Sequence, residues 1–396
     1  MNHNKARPIK TFKLVGALGI AQILAWSSTY YLPAVLATPI AEDTGWSLTR
    51  VVIGLSWGLL IAGACSPLAG RQIDRLGGRS VLATSSVLLA LGMLLMGLAQ
   101  HLVTYYLAWT LVGAGMAAGL YDAAFSTLGR LLGANARASI TGLTLIGGFA
   151  STLGWPLIAG MEHQVGWRFS CFALAAMHLV IGLPIHLMAI PREQDTLTET
   201  PIPMHPTGAA SNPSGTSASQ LLLLLAALLT LQSLVISTLS VHLLDVLKLL
   251  GIATATALAI GMMIGPSQVA ARVAEFAIGR NLHPTWSTRL AIVLCGLGIG
   301  LLLPAMPWLG FVAMGLYGAG VGILTIARGT LPLALFGSAG YGTRMGQLAR
   351  PMLLAQAAGP VGAALILEQF GSTFLLAVLC VLVGISLIIS FALPAR

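Results

Sequence analysis

One charged stretch, Gly70-Arg71-Gln72-Ile73-Asp74-Arg75-Leu76-Gly77-Gly78-Arg79, lies between two apolar runs at residues 51–70 and 80–99. Each run is about the 20 residues that a helix needs to cross a bilayer, so the stretch is predicted to be a turn at a membrane face. Its arginines assign that face to the cytoplasm, because cytoplasmic loops of membrane proteins are enriched in Lys and Arg. Asp74 is the one acid in this otherwise basic turn.

The composition predicts a helical membrane protein with many spans. Hydrophobic residues make up 57% of the chain and charged residues only 8%, which is unlike a soluble globular domain. The formal charge of +9 would favour a nucleic-acid partner in a soluble chain. Here most basic residues fall in short loops on one predicted side, so no nucleic-acid partner is expected. The four cysteines have no CxxC spacing, and neither a metal site nor a cofactor is expected.

The apolar runs predict an all-α membrane protein with twelve transmembrane helices in two six-helix, pseudo-symmetric bundles. The bundles are residues 1–190 and 220–396, and the polar residues 191–219 between them are predicted to be a flexible cytoplasmic linker. Both termini are then cytoplasmic, and of the loop Lys and Arg residues only Arg50, Arg168 and Lys248 fall outside. The predicted spans are 13–38, 51–72, 80–100, 103–130, 139–161, 169–190, 220–246, 253–278, 290–306, 309–332, 346–367 and 372–393.

The spacing Gly-x-x-x-Asp-Arg-x-Gly-x-Arg, at Gly70, Asp74, Arg75, Gly77 and Arg79, resembles the signature loop between helices 2 and 3 of the major facilitator superfamily. The resemblance implies a secondary active transporter in which this loop is part of a cytoplasmic gate. In that family the Asp meets the start of helix 11 and arginines from neighbouring helices. The physics agrees, since a carboxylate is favoured at a helix N-terminus and by nearby guanidinium groups.

A weak internal repeat supports the two bundles. The stretch that begins at Gly70-Arg71 recurs as Gly279-Arg280 at an offset of 209, and Arg137 corresponds to Arg344 at an offset of 207. A parallel repeat of six helices is the internal symmetry of this superfamily. The second copy has His283 where the first has Asp74, so the two gates are not expected to be equivalent.

Polar residues within the predicted spans are the candidates for substrate binding or ion coupling, because a membrane interior penalises polar groups that have no function. Tyr30 and Tyr31 close an aromatic and hydroxyl cluster in the first span. The fourth span contains Asp122, and the tenth contains Arg328, which corresponds to Tyr121 at the offset of 207. The repeat therefore predicts that Asp122 and Arg328 approach each other across the two halves.

The eighth span carries Gln268, Arg272 and Glu275, whose spacings of four and three put them on one helical face. Two interpretations of Arg272 compete: a static ion pair with Glu275, or a cation that draws an anionic substrate while Glu275 or Asp122 accepts a proton. Gln268-x-x-x-Arg272 is similar to the Asp-x-x-x-Arg pair of monocarboxylate transporters. The Asp is replaced by Gln, and the helix-1 lysine of those transporters is absent.

The expected function is proton-coupled transport of a small solute, such as a small organic anion, by alternating access. The alternative is efflux of a drug or of a toxic compound such as an arsenical, because the fifth and tenth spans resemble bacterial members linked to arsenical efflux. A channel is disfavoured because the sequence has no filter-like loop. An enzyme is disfavoured because the sequence has no catalytic motif. The expected partners are a small-molecule substrate, protons and the lipid bilayer, for a monomer in the bacterial inner membrane.

Overall fold

The protein is described by a computed structural model over residues 11–192, 217–279 and 282–395, and all regular structure in these ranges is helical. Most of the predicted linker, 193–216, lies outside the described residues. The helices are α1 Thr11–Ser27, α2 Pro33–Thr44, α3 Leu48–Leu76, α4 Gly78–Gly97, α5 Leu102–Gly119, α6 Tyr121–Leu132, α7 Ala136–Gly147, α8 Ala150–Met177, α9 Leu183–Ala189, α10 Ala218–Leu249, α11 Thr254–Met262, α12 Ile264–Ala277, α13 Pro284–Gly300, α14 Pro307–Phe336 and α15 Tyr341–Phe391.

Eight helical stretches of the described chain are long and apolar enough to cross a membrane. The 51 residues of α15 would extend about 75 Å as one helix, more than twice the hydrocarbon thickness. Gly371 in α15 and Gly166 in α8 each have φ of 78°, a conformation that glycine adopts without a steric penalty. Both glycines fall between predicted spans, so each of these long runs consists of two helices that meet at a glycine.

The prediction of one continuous helix over 13–38 is wrong, because α1 ends at Ser27 and α2 begins at Pro33. Pro33 has no backbone N–H to continue a helical hydrogen-bond ladder. Ser28 and Thr29 also donate their hydroxyls back to the carbonyls four residues earlier, at 2.8 and 2.6 Å, which weakens a helix locally. The interruption leaves Tyr30 and Tyr31 in a turn between the two helices.

The predicted span 253–278 is also interrupted, between α11 and α12 at Met263. Pro266 lies three residues further on and removes one N–H from the helical ladder. Gln268, Arg272 and Glu275 therefore belong to α12, a helix of 14 residues. All three remain on one continuous helical segment, as the sequence predicted.

Each half of the chain has its own apolar core, and the halves meet along α3 and α15. One buried cluster is drawn entirely from residues 221–393, whereas a second, built mostly from residues 24–175, includes Leu353 of α15. A Cβ added at Gly70 of α3 would lie 2.1 Å from the carbonyl oxygen of Gly342, and one at Gly346 would lie 2.3 Å from that of Ser66. Small residues thus bring the two backbones into direct contact.

Candidate functional site

Asp74, at the end of α3, caps the first turn of α15. Its Oδ1 accepts a hydrogen bond from the Gly342 backbone N–H at 2.9 Å, and its Oδ2 accepts from the backbone N–H and the hydroxyl of Thr343 at 2.6 and 2.7 Å. A carboxylate is stabilised there by the free N–H groups and the helix dipole. Gly77, with φ of 77°, ends α3 directly afterwards. We refer to this end of the molecule as the Asp74 end.

The three hydrogen bonds that the described residues give the Asp74 carboxylate all come from α15, so the arginine contacts that the resemblance implies stay a prediction. Arg130 of α6 donates to the backbone carbonyl of Asp74. Arg344 donates to the carbonyls of Phe336 and Ala339, at 3.2 and 2.6 Å. Among the described residues, neither Arg75 nor Arg79 has a side-chain hydrogen bond or an ion pair. The Asp74 carboxylate already has three donors from α15, so a guanidinium is not needed to satisfy it.

A second contact joins α6 to α14 deeper in the molecule. Arg328 donates from Nε to Oδ1 of Asp122 at 2.8 Å and from Nη2 to Oδ2, which is the two-pronged geometry of the strongest ion pairs. The two side chains are only 14% and 15% exposed. The structure thus brings together the acid and the arginine that the repeat offset had paired.

A third contact joins α7 to the segment between α12 and α13. Arg137 donates to the carbonyls of Leu282 and Gly279, at 2.6 and 2.9 Å, and its Nη2 lies 3.6 Å from Oε1 of Glu275. Ser287 also donates to Glu275, at 2.8 Å. From the sequence, Arg137 was identified only as one of the positions that the repeat relates. An arginine at the start of a span was nevertheless a signal for an interhelical contact.

Glu275 therefore pairs with Arg137, and the static pair with Arg272 is contradicted. The i,i+3 spacing makes Arg272 and Glu275 neighbours on α12, but neighbouring positions on a helix do not dictate where long side chains point. Arg137 and Ser287 from other elements draw Glu275 to the end of α12.

Burial, together with the positive charges of Arg137 and Arg289, lowers the pKa of the nearby His283, so this loop carries its neutral imidazole at pH 7.

Arg272 is 5% exposed and has only neutral partners in the described part of the chain. Nη1 donates to the Thr144 carbonyl of α7 at 3.2 Å, and Nη2 donates to the Gln268 and Thr325 side chains at 3.4 and 3.3 Å. Nε is buried without any hydrogen-bond partner. A cation in such surroundings is costly unless an anion joins it. The two residues of the sequence pattern Gln268-x-x-x-Arg272 are thus joined by a side-chain hydrogen bond.

An aromatic cluster lies beside Arg272. Tyr30 and Tyr31 meet edge to face at 5.5 Å between ring centroids, and Trp26 is 5.6 Å from Tyr30 and 5.0 Å from Tyr121. Trp155 of α8 joins from the other side, 5.9 Å from Tyr31. Trp155 was not among the residues predicted from sequence.

A small pocket, partly open to the surroundings, lies between the two halves. The Asp122–Arg328 pair borders it, and the rest of its wall is mostly apolar and aromatic. Arg272 does not line this pocket, but Tyr121 does, and Tyr121 also lies near Arg272. The lining residues are Trp26, Tyr30, Leu59, Ala62, Ser66, Met116, Ala117, Leu120, Tyr121, Asp122, Arg328, Leu353 and Gln356.

Comparisons with known proteins concern the family and the fold of the chain. The sequence pattern of the Major Facilitator Superfamily matches residues 18–349. The human organic anion transporter MFSD10 (TETRAN) has a similar structure, with a TM-score of 0.75 at 16% identity over 97% of this chain and 100% of that one. The proton:xylose symporter XylE, bound to 6-bromo-6-deoxy-D-glucose, has a TM-score of 0.71 at 15% identity over 97% and 95% of the two chains.

A curated relative is also similar in sequence. It is described as an uncharacterized 38 kDa protein in the 23S RNA operon of Thermoproteus tenax, and it is 30% identical over 168 residues. The match spans 42% of this chain and 44% of the relative, which is less than half of either.

Proposed function

Because the chain belongs to the Major Facilitator Superfamily, we propose that this membrane transporter is a secondary active transporter that moves a small solute by alternating access. In such a cycle two helical halves rock about a site between them, and the site opens to each membrane face in turn. The proposal rests on one observation: the side-chain contacts of Asp74, Asp122 and Arg137 all join the two halves toward one end of the molecule.

We infer twelve spans in two bundles, residues 1–190 and 220–396, joined by the linker at 191–219. The interrupted helices support this count, since Gly166 divides the 54-residue helical run Ala136–Ala189 and Gly371 divides the 51-residue α15, and each run is too long for one span. The separate apolar core of the second half supports the two bundles. We place the Asp74 end and both termini on the cytoplasmic side of a bacterial inner membrane, in keeping with the positive-inside rule. The protein acts as a monomer.

The cytoplasmic gate consists of Gly70, Asp74 and Gly77, together with the contacts of Gly70 and Asp74 on α15. Gly70 permits the close approach of α3 and α15, and Asp74 caps α15 only while the helices are together. Separation of the two halves exposes the first turn of α15 and leaves its N–H groups to water. Arg75 and Arg79 keep the loop on the cytoplasmic side, and among the described residues they form no contact that would hold the gate closed.

The coupling ion is a proton, with Asp122 or Glu275 as its acceptor. Each carboxylate is held in the closed arrangement by an arginine of the other half, Arg328 or Arg137. A protonated carboxyl group no longer attracts its arginine, so proton binding weakens the contact between the halves. Transport is then driven by the pH difference across the membrane.

The substrate is a small organic anion that binds at Arg272, with Gln268, Tyr30 and Tyr31 around it. Support comes from the buried guanidinium, which has neutral partners and an unused Nε donor. MFSD10 carries organic anions and XylE carries a sugar with protons, but these likenesses are in fold alone. The anion is therefore assigned from Arg272 and not from a relative.

The proposal is tested with the purified protein in liposomes, by the uptake of radiolabelled small organic anions. We expect saturable uptake that increases with an imposed pH gradient, whereas a channel would not saturate. Arg272→Gln should reduce uptake at least tenfold, and Arg272→Lys, which keeps the charge, should retain a part of it. If Arg272→Gln transports every tested anion as well as the parent does, the substrate is not an anion bound at this residue.

A second candidate is efflux of a drug or of a toxic compound such as an arsenical. The pocket beside Asp122 favours it, because apart from the Asp122–Arg328 pair its wall is uncharged and mostly apolar or aromatic. Cells that produce the protein would then tolerate apolar drugs or arsenite better than cells without it. In that case Arg272→Gln would leave the tolerance unchanged, whereas loss of Asp122 would remove it.

A further inference from the structure

We propose that the transported anion is aromatic, a flat ring that carries a carboxylate, with the carboxylate at Arg272 and the ring against Tyr31 and Trp155. This inference rests on the anion transport proposed above and specifies its substrate class. Three observations carry it: the unused donors near Arg272, a pair of glycines that brings them together, and an exposed tryptophan that extends from them.

The donors near Arg272 match the needs of a carboxylate. Nε of Arg272 is buried and unused, and no carboxylate of the described residues pairs with the guanidinium. The phenol of Tyr121 and the guanidinium of Arg272 lie against adjacent glycines of α7, and Tyr31 packs on Trp26, which also contacts Tyr121. Within the described part of the chain, neither phenol hydroxyl makes a hydrogen bond. A bound carboxylate would accept hydrogen bonds from all of these groups and supply the missing negative charge.

Two consecutive glycines at the end of α7 make room for these donors. A Cβ added at Gly148 would lie 2.2 Å from Nη1 of Arg272, and one added at Gly147 would lie 2.5 Å from the hydroxyl oxygen of Tyr121. The guanidinium and the phenol therefore occupy the space that ordinary side chains would fill. Both polar groups lie against one short stretch of backbone, so a single carboxylate can reach them together.

The aromatic wall next to these donors is held in place and partly open. The indole N–H of Trp155 donates to the Tyr31 carbonyl at 3.2 Å, a carbonyl left accessible by the break between α1 and α2. The two rings meet at 85°, and Trp155 remains 44% exposed. An aromatic ring gains edge or face contacts with such a wall beyond the burial of its area, whereas a saturated ring of the same size gains burial alone.

The test compares benzoate with cyclohexanecarboxylate, which have the same charge and the same number of carbon atoms. Binding of each acid to the full-length protein in nanodiscs is measured by titration calorimetry. We expect benzoate to bind about three- to tenfold more tightly, the range that a ring–ring contact supplies. Trp155→Leu should remove this preference and change the affinity for cyclohexanecarboxylate less than twofold. Trp308→Leu, at a 64% exposed position at the start of α14, is the matched control and should keep the preference.

The outcomes separate the substrate class from the proposed function. Equal affinities for the two acids, both lost in Arg272→Gln, would reject an aromatic substrate and retain an anion transporter. A benzoate preference that survives in Trp155→Leu would also reject the aromatic wall. If the parent binds neither acid, the aromatic substrate class is rejected, and anion transport at Arg272 is decided by the uptake of the other small organic anions. A preference that depends on Trp155, with loss of both acids in Arg272→Gln, supports the inference.

Discussion

The guanidinium of Arg328 donates two hydrogen bonds to the carboxylate of Asp122, although 206 residues separate them in the chain. One belongs to α6 and the other to α14, so the pair closes the contact between the two halves at the edge of the pocket. Each partner is mostly buried, and neither charge has a substitute partner of opposite sign within ion-pair distance in the described chain.

Removal of one partner of this pair should destabilise the protein more than removal of both. Asp122→Asn leaves Arg328 as an unpaired, mostly buried cation, which costs about 3 kcal/mol, whereas the double variant Asp122→Asn/Arg328→Gln leaves no uncompensated charge. Thermal unfolding in detergent should therefore show the lowest midpoint for the single variants. A double variant that unfolds below both singles would contradict a direct pairing.

Asp74→Asn should slow transport without preventing membrane insertion. Asparagine keeps an acceptor for the α15 N–H groups but loses the charge that favours a helix N-terminus, a loss of about 0.5–1 kcal/mol at the closed gate. The measurement is the initial uptake rate per inserted molecule. Glu368→Gln, an exposed acid in α15 outside the contact, is the control and should transport normally. Parent-like uptake by Asp74→Asn would remove this residue from the gate.

Gly70→Ala should prevent close packing of α3 on α15. The new methyl group would lie 2.1 Å from the Gly342 carbonyl oxygen, which is backbone and cannot move aside without displacing the helix. We expect a lower unfolding midpoint and at least a tenfold loss of uptake. Gly362→Ala in α15 meets no atom within 4 Å and should behave like the parent. Equal behaviour of the two variants would show that the close approach is unimportant.

Arg137→Gln should impair transport more than Glu275→Gln does. The arginine holds two carbonyls of the other half in addition to the carboxylate, so its loss removes three contacts, whereas loss of the Glu275 charge removes one. The two variants and their combination form a double-mutant cycle, read out as uptake rate and unfolding midpoint. If Glu275→Gln is the more damaging change, the carboxylate has a role beyond the contact, as the proton acceptor.

A contact between residues at corresponding positions of the two halves could be predicted from the sequence. The direction in which a side chain points from a single helix could not. Asp122 and Arg328 occupy nearly equivalent places in two similar halves, and such halves face each other across a common axis. Arg272 and Glu275 are three residues apart on α12, yet their partners come from α7, α13 and α14. Those partners are distant in sequence, and local spacing contains no information about them.

The sequence by itself determined the environment of the chain and its all-helical fold, because lipid requires helices of a set length and repels charge from their middle. It also identified Asp74 through the spacing of its loop. Only the packing of the helices decided that Glu275 pairs with Arg137, that Trp155 donates a hydrogen bond to Tyr31, and that Nε of Arg272 has no hydrogen-bond partner. The physical reason is that the partners of a long side chain are groups on neighbouring helices. Those groups come within reach only after the helices have packed together.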